Sequence, residues 1–120
     1  MRKQDKYNVA IYCRLSKDDD IRGGESSSII SQKEIIEKYV HDQGWHIHDY
    51  YIDDGYSGTN FKRPNFERMI DDIEDGKINC VITKDLSRLG RNYIQAGQYT
   101  EMYFPSKNVR YIALNEESVT

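Results

Sequence analysis

One serine and four arginines stand where the chain leaves predicted buried strands or enters predicted helices. Ser16 follows the first apolar run, and Arg14 precedes it by two residues. Arg63 follows a turn-rich loop, and Arg88 and Arg91 follow the third apolar run, three residues apart. Guanidinium groups stay charged and present planar donors that match phosphate oxygens. Because phosphoryl transfer depends on positioning and on neutralising charge at the phosphorus oxygens, this combination predicts a serine hydroxyl that attacks a phosphodiester.

The same segments offer no conventional base and no set of metal ligands. No His–Asp pair is predicted beside Ser16, so the arginines themselves would have to make the hydroxyl more acidic and stabilise the transition state. His46 and His48 lie on one face of a predicted strand near Asp49, where exposed histidines are more common than a metal site. We therefore expect no cofactor and no metal, and the group that accepts the proton is left open.

These residues must be positioned by an alternation of strands and helices. Short β-prone apolar runs predict strands, and apolar residues at helical spacing predict helices. Ser28 is predicted to cap the first helix, Gly44 to end it, and Pro64 to begin the second. The predicted strands are 9–13, 45–52, 78–83 and 109–114, and the predicted helices are 28–43, 64–76 and 93–104, with Pro105 just past the last helix.

This order predicts an α/β fold with a mainly parallel sheet of four to five strands and helices on both faces. In such sheets the working residues gather at the carboxyl ends of the strands. The segments expected at that rim are 14–16, 53–57, 84–91 and 115–118. Tyr12, Arg14 and Ser16 point to the same side for as long as the strand geometry persists. The chain ends soon after the fourth strand with no closing helix predicted, so we expect a fragment of a longer protein.

The composition is that of one soluble domain. A chain of 120 residues, 38% hydrophobic and 31% charged, is long enough for a single modest core. No apolar run approaches the roughly 20 residues of a membrane span, so we expect a cytoplasmic protein with no membrane contact. Cys13 and Cys80 are expected as two buried thiols. The net charge of −3 argues against DNA binding by bulk electrostatics, but five basic and two acidic residues between 84 and 110 indicate a local phosphate site.

Three segments resemble the serine recombinases, the resolvase and invertase group. The run Y-C-R-L-S at 12–16 is similar to the family's Y-x-R-x-S, whose serine is the nucleophile. D-G-Y-S-G at 54–58, followed by Arg63-Pro64, is similar to the D-x-x-S-G and R-P segment. L-S-R-L-G-R at 86–91 is similar to D-R-L-G-R, and A-L-N-E at 113–116 resembles the end of the family's core sheet. The long loop before Ser28 is closest to the large serine recombinases of phages and mobile elements.

The resemblance implies a resolvase-like catalytic core that recombines DNA at specific sites. It implies that Ser16 attacks the scissile phosphate to form a 5′-phosphoserine intermediate, which is followed by strand exchange and rejoining without ATP or a metal. It implies phosphate-binding and transition-state roles for Arg14, Arg63, Arg88 and Arg91. The residues that it places in support are Gln32, Tyr12, Asp54 and Ser57.

The resemblance also implies partners and missing parts. The substrate is double-stranded DNA, and the full-length protein is expected to form a dimer and a synaptic tetramer. Residues 1–120 would be a single catalytic domain that lacks the dimerisation helix and the DNA-binding domains. By itself such a fragment is expected to be monomeric or weakly associated and nearly inactive.

Two departures from the family pattern bear on the chemistry. Many members have aspartate where this chain has Ser87, and Asp85 is not an obvious replacement as a proton acceptor. Aspartate is also common at the position of Asn79. Two other functions stay open: a recombinase-derived domain that no longer cuts, and a receiver-like regulatory module that would use Asp53 and Asp54 with a strand-end lysine.

Overall fold

A four-stranded parallel sheet forms the centre of the molecule. The computed structural model describes residues 6–15, 28–57 and 61–117, with side chains described as far as Asn115. The strands are β1 (Asn8–Leu15), β2 (His46–Asp54), β3 (Cys80–Thr83) and β4 (Arg110–Ala113). They pair in parallel in the order β2-β1-β3-β4. The predicted α/β class and the parallel sheet are confirmed, with four strands.

Helices cover both faces of the sheet. They are α1 (Ile29–Gln43), α2 (Pro64–Glu74), α3 (Leu86–Leu89), α4 (Tyr93–Gly97), a π-helical segment π1 (Gln98–Tyr103), α5 (Phe104–Ser106) and α6 (Leu114–Glu117). Because side chains alternate along β1, it contributes to two cores. Its odd-numbered residues pack with Ile36 and Val40 of α1, and its even-numbered residues pack with Phe66 and Met69 of α2.

The ends of the first two helices follow from local sequence. The Ser28 hydroxyl accepts a hydrogen bond from the backbone N–H of Ser31 at 3.1 Å, and Gly44 ends α1 with a left-handed φ of 77°. Pro64 occupies the first turn of α2, where its missing N–H would have had no helical partner. These three predictions are confirmed.

The third predicted helix differs from the structure. The helical segment from 93 onward changes pitch at π1, and Pro105 lies inside α5 instead of just past the helix. The backbone of Tyr103 and Phe104 is helical, so Pro105 continues the helical segment instead of following its end. The chain also has a closing helical turn, α6, which the sequence did not predict. Its Asn115 N–H donates to the Lys84 carbonyl at 2.9 Å, which ties the end of β4 to the end of β3.

The histidine pair on β2 is separated by an irregularity in the sheet. Val9 pairs with Ile47 and Ala10 pairs with Asp49, so His48 is the extra residue of a bulge. Asp49 forms an ion pair with Arg68 at 2.9 Å. Within the described ranges there is no group of three or more histidine, cysteine, aspartate or glutamate residues placed to hold a metal ion. In those same ranges no helix is long and apolar enough to cross a membrane.

The strand order determines where a site can form. The connection from β1 leads to β2 on one side, and the connection from β3 leads to β4 on the other. The crevice between such neighbouring strands, at their carboxyl ends, is where open α/β sheets bind ligands. In this fold the crevice lies between Leu15 and Thr83, next to the segments that carry the predicted chemistry.

Candidate active site at the carboxyl ends of β1 and β3

Buried arginines hold the short helix α3 through its backbone carbonyls. Arg14 is fully buried and donates from Nε to the Arg88 carbonyl at 3.2 Å and from Nη2 to the Ser87 carbonyl at 2.6 Å. Its Nη1 donates to the Tyr56 carbonyl at 3.1 Å. Arg63, also fully buried, donates from Nη2 to the Leu89 carbonyl at 2.7 Å. Since the last carbonyls of a helix lack helical partners, these guanidinium groups stabilise both the dipole and the end of α3.

Every carbonyl of α3 therefore has a donor. The remaining one, that of Leu86, accepts from the N–H of Gly90 at 3.1 Å. Buried backbone polar groups without partners are destabilising, so this arrangement allows α3 to pack tightly under the strand ends. It also explains why Arg14 and Arg63, which we predicted as phosphate ligands, turn their guanidinium groups into the fold.

The end of β1 is held from two sides. The Arg14 carbonyl accepts from Nη1 of Arg88 at 3.1 Å and from Nε2 of Gln32 at 3.0 Å. Gln32 is buried, and its Oε1 accepts from the Arg14 N–H at 3.1 Å. Arg14 and Arg88 thus bind each other's backbone. The structure brings these three predicted residues together directly before Ser16, which itself lies outside the described residues.

A buried network joins Arg63 to the next helix. Nη1 of Arg63 donates to the Tyr12 hydroxyl at 2.9 Å, and that hydroxyl donates to Oδ2 of Asp53 at 2.8 Å. The Asp53 carboxylate also accepts from the N–H groups of Asn65 and Phe66, both at 3.0 Å, at the start of α2. Burial raises the pKa of Tyr12, although Arg63 opposes the effect, so the phenol stays protonated and acts as a donor.

The sequence placed Asp53 in a segment at the rim of the sheet but gave it no role in DNA cleavage. The D-x-x-S-G similarity indicated its neighbour Asp54, which is exposed and pairs with Leu15 at the end of the sheet. Ser57 is exposed as well. The available signal was the strand pattern, because residues 51 and 53 fall on the same face of β2 and both are buried. The receiver-like function would use Asp53 and Asp54, whereas the Asp53 carboxylate is enclosed by donors from Tyr12, Asn65 and Phe66.

An open cleft lies beside the buried arginines. It has a volume of about 540 Å³, and its lining includes Asp85, Ser87, Arg91 and Asn115. Arg91 is exposed, in contrast to the other three predicted arginines. Clefts of about 580 and 590 Å³ around Trp45 contain none of the predicted site residues. The cleft at the carboxyl ends is therefore open and is lined by one predicted arginine, Arg91, and by one acidic residue, Asp85.

The sequence profile of the family described as "Resolvase, N terminal domain" matches residues 9–120. The chain belongs to the resolvase family of serine recombinases. Its activity is that of the catalytic domain of a site-specific DNA recombinase. The predicted family, fold and enzyme class are confirmed.

Solved recombinase structures are similar to this recombinase in sequence and shape. The N-terminal catalytic domain of TP901-1 integrase is 33% identical, with a TM-score of 0.81 over 92% of this chain and 78% of that one. A resolvase family site-specific recombinase from Streptococcus pneumoniae is 28% identical, with a TM-score of 0.74 over 92% and 72%. The C-terminal catalytic domain of ISC1926 TnpA, an IS607-like serine recombinase, is 21% identical with a TM-score of 0.70 over 89% and 67%, and it shows the fold alone. None of the curated proteins is significantly similar in sequence.

The thiol nearest in sequence to Ser16 does not compete as a nucleophile in this recombinase. Cys13 is fully buried, and this burial raises its pKa to about 12. A thiol is reactive only as the thiolate, so Cys13 stays inert at neutral pH. Asn79, one of the departures from the family pattern, lies at the opposite end of the sheet, where its Oδ1 accepts from the Asn8 N–H at 2.7 Å. That departure therefore does not affect the site.

Gly90 is required by packing, and its substitution gives a first prediction for the recombinase. A Cβ at this position would overlap the Phe61 ring, with Cε1 and Cε2 at 3.0 and 3.2 Å. That ring lies 4.5 Å from Cζ of Arg63, so it cannot move freely. We expect Gly90→Ala to lower the free energy of unfolding by about 1–3 kcal/mol, measured by urea denaturation.

Gly97 is the matched control for that measurement. It has helical backbone angles, with φ −63° and ψ −35°, and nothing lies within 4 Å of an added Cβ. Gly97→Ala should leave stability unchanged or raise it by up to about 1 kcal/mol. Equal stability changes in the two variants would contradict the packing role of Gly90.

Proposed function

We propose that the Ser16 hydroxyl attacks the scissile phosphate of double-stranded DNA and forms a 5′-phosphoserine bond. The bond between phosphorus and the 3′ oxygen breaks, and the departing strand leaves as a 3′-hydroxyl. The observation that carries this proposal is the mutual hydrogen bonding of Arg14 and Arg88, which ties the end of β1 to the turn after β3. Ser16 follows Arg14 by two residues in the sequence, and we propose that the arginines at this edge stabilise the phosphate that its hydroxyl attacks.

The four arginines divide the work by their burial. Arg91, which is exposed in the cleft, contacts the phosphate directly, and Arg88 stabilises charge on its oxygens from the rim. Arg63 acts from within by fixing α3 and adding positive potential. For Arg14, we propose that a phosphate oxygen replaces the Tyr56 carbonyl as the acceptor for Nη1, because Tyr56 lies in the exposed loop after β2.

Strand exchange and rejoining follow from the energy kept in the phosphoserine. When the free 3′-hydroxyl of a new partner attacks the phosphorus, the serine oxygen leaves and a phosphodiester forms again. The number of phosphate ester bonds is the same before and after, so the sequence of steps needs no ATP. Gln32 and Tyr12 support these steps by holding the ends of β1 and β2 through hydrogen bonds to Arg14 and Asp53. Asp54 and Ser57 are proposed as supporting residues from their similarity to the D-x-x-S-G segment.

The assembly and location of the protein belong to the same proposal. We propose that the full-length protein forms a dimer and a synaptic tetramer on DNA and that residues 1–120 are its catalytic domain. Alone, this domain is monomeric or weakly associated. A cytoplasmic location is supported by Cys13 and Cys80, which are both buried free thiols.

Covalent capture tests the nucleophile directly. Full-length protein is incubated with a library of sheared genomic DNA from its source organism, and the reaction is stopped with detergent. We expect protein covalently joined to DNA 5′ ends, and peptide mass mapping after nuclease digestion should place the phosphate on Ser16. The attached DNA also reveals the target sequence. An adduct on a different residue would overturn the nucleophile assignment, and the absence of any adduct would favour a domain that no longer cuts.

A further inference from the structure

An acidic residue lies directly against the arginines of the site. Asp85 is the N-cap residue of α3. Its Oδ1 accepts hydrogen bonds from the Arg88 N–H at 3.2 Å and from the Ser87 hydroxyl at 2.5 Å. The same oxygen lies 3.8 Å from Nε of Arg88, and Oδ2 lies 3.9 Å from Nζ of Lys84. One carboxylate therefore contacts a backbone donor, a hydroxyl and two cations at this turn.

The surroundings make the ion pair stronger than one on an open surface. The side chains of Asp85 and Arg88 are 18% and 8% exposed, so water screens their attraction only in part. Asp85 nevertheless borders the cleft that Ser87 and Arg91 line. Its charge acts where the DNA phosphate is proposed to bind.

The contacts of Arg88 show what this charge does. Nη1 is held by the Arg14 carbonyl at 3.1 Å. Nε is buried and lies at ion-pair distance, 3.8 Å, from Oδ1 of Asp85, too far for a hydrogen bond. Because a guanidinium group is planar and rigid, attraction at Nε acts together with the hydrogen bond at Nη1 on the orientation of the whole group. Loss of the carboxylate charge would remove that attraction.

We propose that Asp85 is a positioning residue for DNA cleavage: its negative charge fixes the guanidinium plane of Arg88, and the Ser87 hydroxyl holds the carboxylate in place. The inference rests on the proposed function, in which Arg88 stabilises the scissile phosphate. It assigns a role to an acidic group that precedes the L-S-R-L-G-R run and to the serine that stands where aspartate is common.

A neutral variant separates this role from helix capping. Asparagine caps helices about as well as aspartate, so Asp85→Asn retains the cap of α3 and removes only the charge. The Ser87 oxygen lies 2.5 Å from the Asp85 carboxylate, so a carboxylate introduced at position 87 reaches the same side of Arg88. The double variant D85N/S87D therefore restores the charge from a neighbouring position.

Single-turnover cleavage by the full-length recombinase on its captured DNA site is the assay, together with DNA affinity and melting temperature. We expect Asp85→Asn to slow cleavage by about 100-fold, as expected for a small displacement of a catalytic group, with DNA affinity and melting temperature nearly unchanged. D85N/S87D should recover most of that loss. Asp42→Asn is the matched control, since Asp42 lies on the exposed side of α1 in a pair with Lys38, and it should cleave normally.

Arg88→Ala separates failure of this inference from failure of the proposed function. If Arg88→Ala cleaves normally, the proposed role of Arg88 is wrong and the inference falls with it. If Arg88→Ala is inactive while Asp85→Asn cleaves normally, only the inference is overturned. A slow Asp85→Asn that D85N/S87D does not restore also overturns it, because the charge is then not the cause. Should Asp85→Asn fail to fold, the double variant decides: activity supports the proposal, and a folded but inactive protein refutes it.

Discussion

Replacing Ser16 with alanine is expected to abolish DNA cleavage in the full-length recombinase. Removing a catalytic nucleophile generally lowers the rate by more than about 10⁴-fold, because the arginines that remain can bind the phosphate but cannot break the bond. Binding of the DNA site should be nearly unchanged, since a serine hydroxyl adds little to the contacts of a long duplex. The measurement is cleavage and covalent-adduct yield under denaturing conditions, with affinity determined in parallel.

Ser106→Ala provides the control for this result. Ser106 lies in α5, where its hydroxyl donates to the Tyr103 carbonyl at 2.7 Å, away from the cleft. That variant should cleave and form adducts like the wild type. Cleavage by Ser16→Ala at a wild-type rate would show that another group attacks the phosphate, and the arrangement of arginines would then need a different explanation.

The parts of the fold that could be predicted are those that local sequence determines. The ends of α1 follow from Ser28 and Gly44, and β1 and β3 are read from continuous apolar runs because both faces of these strands are buried. The segment 93–104 is a counterexample. Its apolar spacing suits one α-helix, and nothing local marks the change of pitch at π1.

The sequence could predict that Arg14 and Arg88 lie close together, but not how their side chains are arranged. Strand ends indicated their proximity, and the structure joins them by hydrogen bonds. The burial of Arg14 depends on carbonyls 73 and 74 residues later in the chain, and strand alternation carries no information on them. The position of Asp53 likewise depends on distant residues, because its carboxylate accepts hydrogen bonds from the N–H groups of Asn65 and Phe66 at the start of α2. Long-range hydrogen bonding therefore decides which arginine side chains are enclosed in the fold and which stay exposed.

That division leads to the second large effect, a loss of stability when Arg63 is replaced by methionine. The substitution preserves bulk among the rings of Phe61, Phe66 and Tyr12 but removes the donors to the Leu89 carbonyl and the Tyr12 hydroxyl. It also removes the positive charge that compensates the buried Asp53 network. Breaking one partner of a buried ionic network costs about 3–5 kcal/mol, which is a large part of the total stability of a small domain.

Arg91→Met distinguishes a general effect of losing an arginine from the specific effect at position 63. Arg91 is exposed, so its replacement should change the free energy of unfolding by less than about 0.5 kcal/mol, measured as the urea midpoint at unchanged slope. In the cleavage assay we expect Arg91→Met to be impaired although its fold is stable, because it loses the proposed phosphate contact. An Arg63→Met variant as stable as the wild type would contradict the structural role of Arg63, whatever its cleavage rate. The two measurements together therefore distinguish the contribution of Arg63 to stability from the proposed phosphate contact of Arg91.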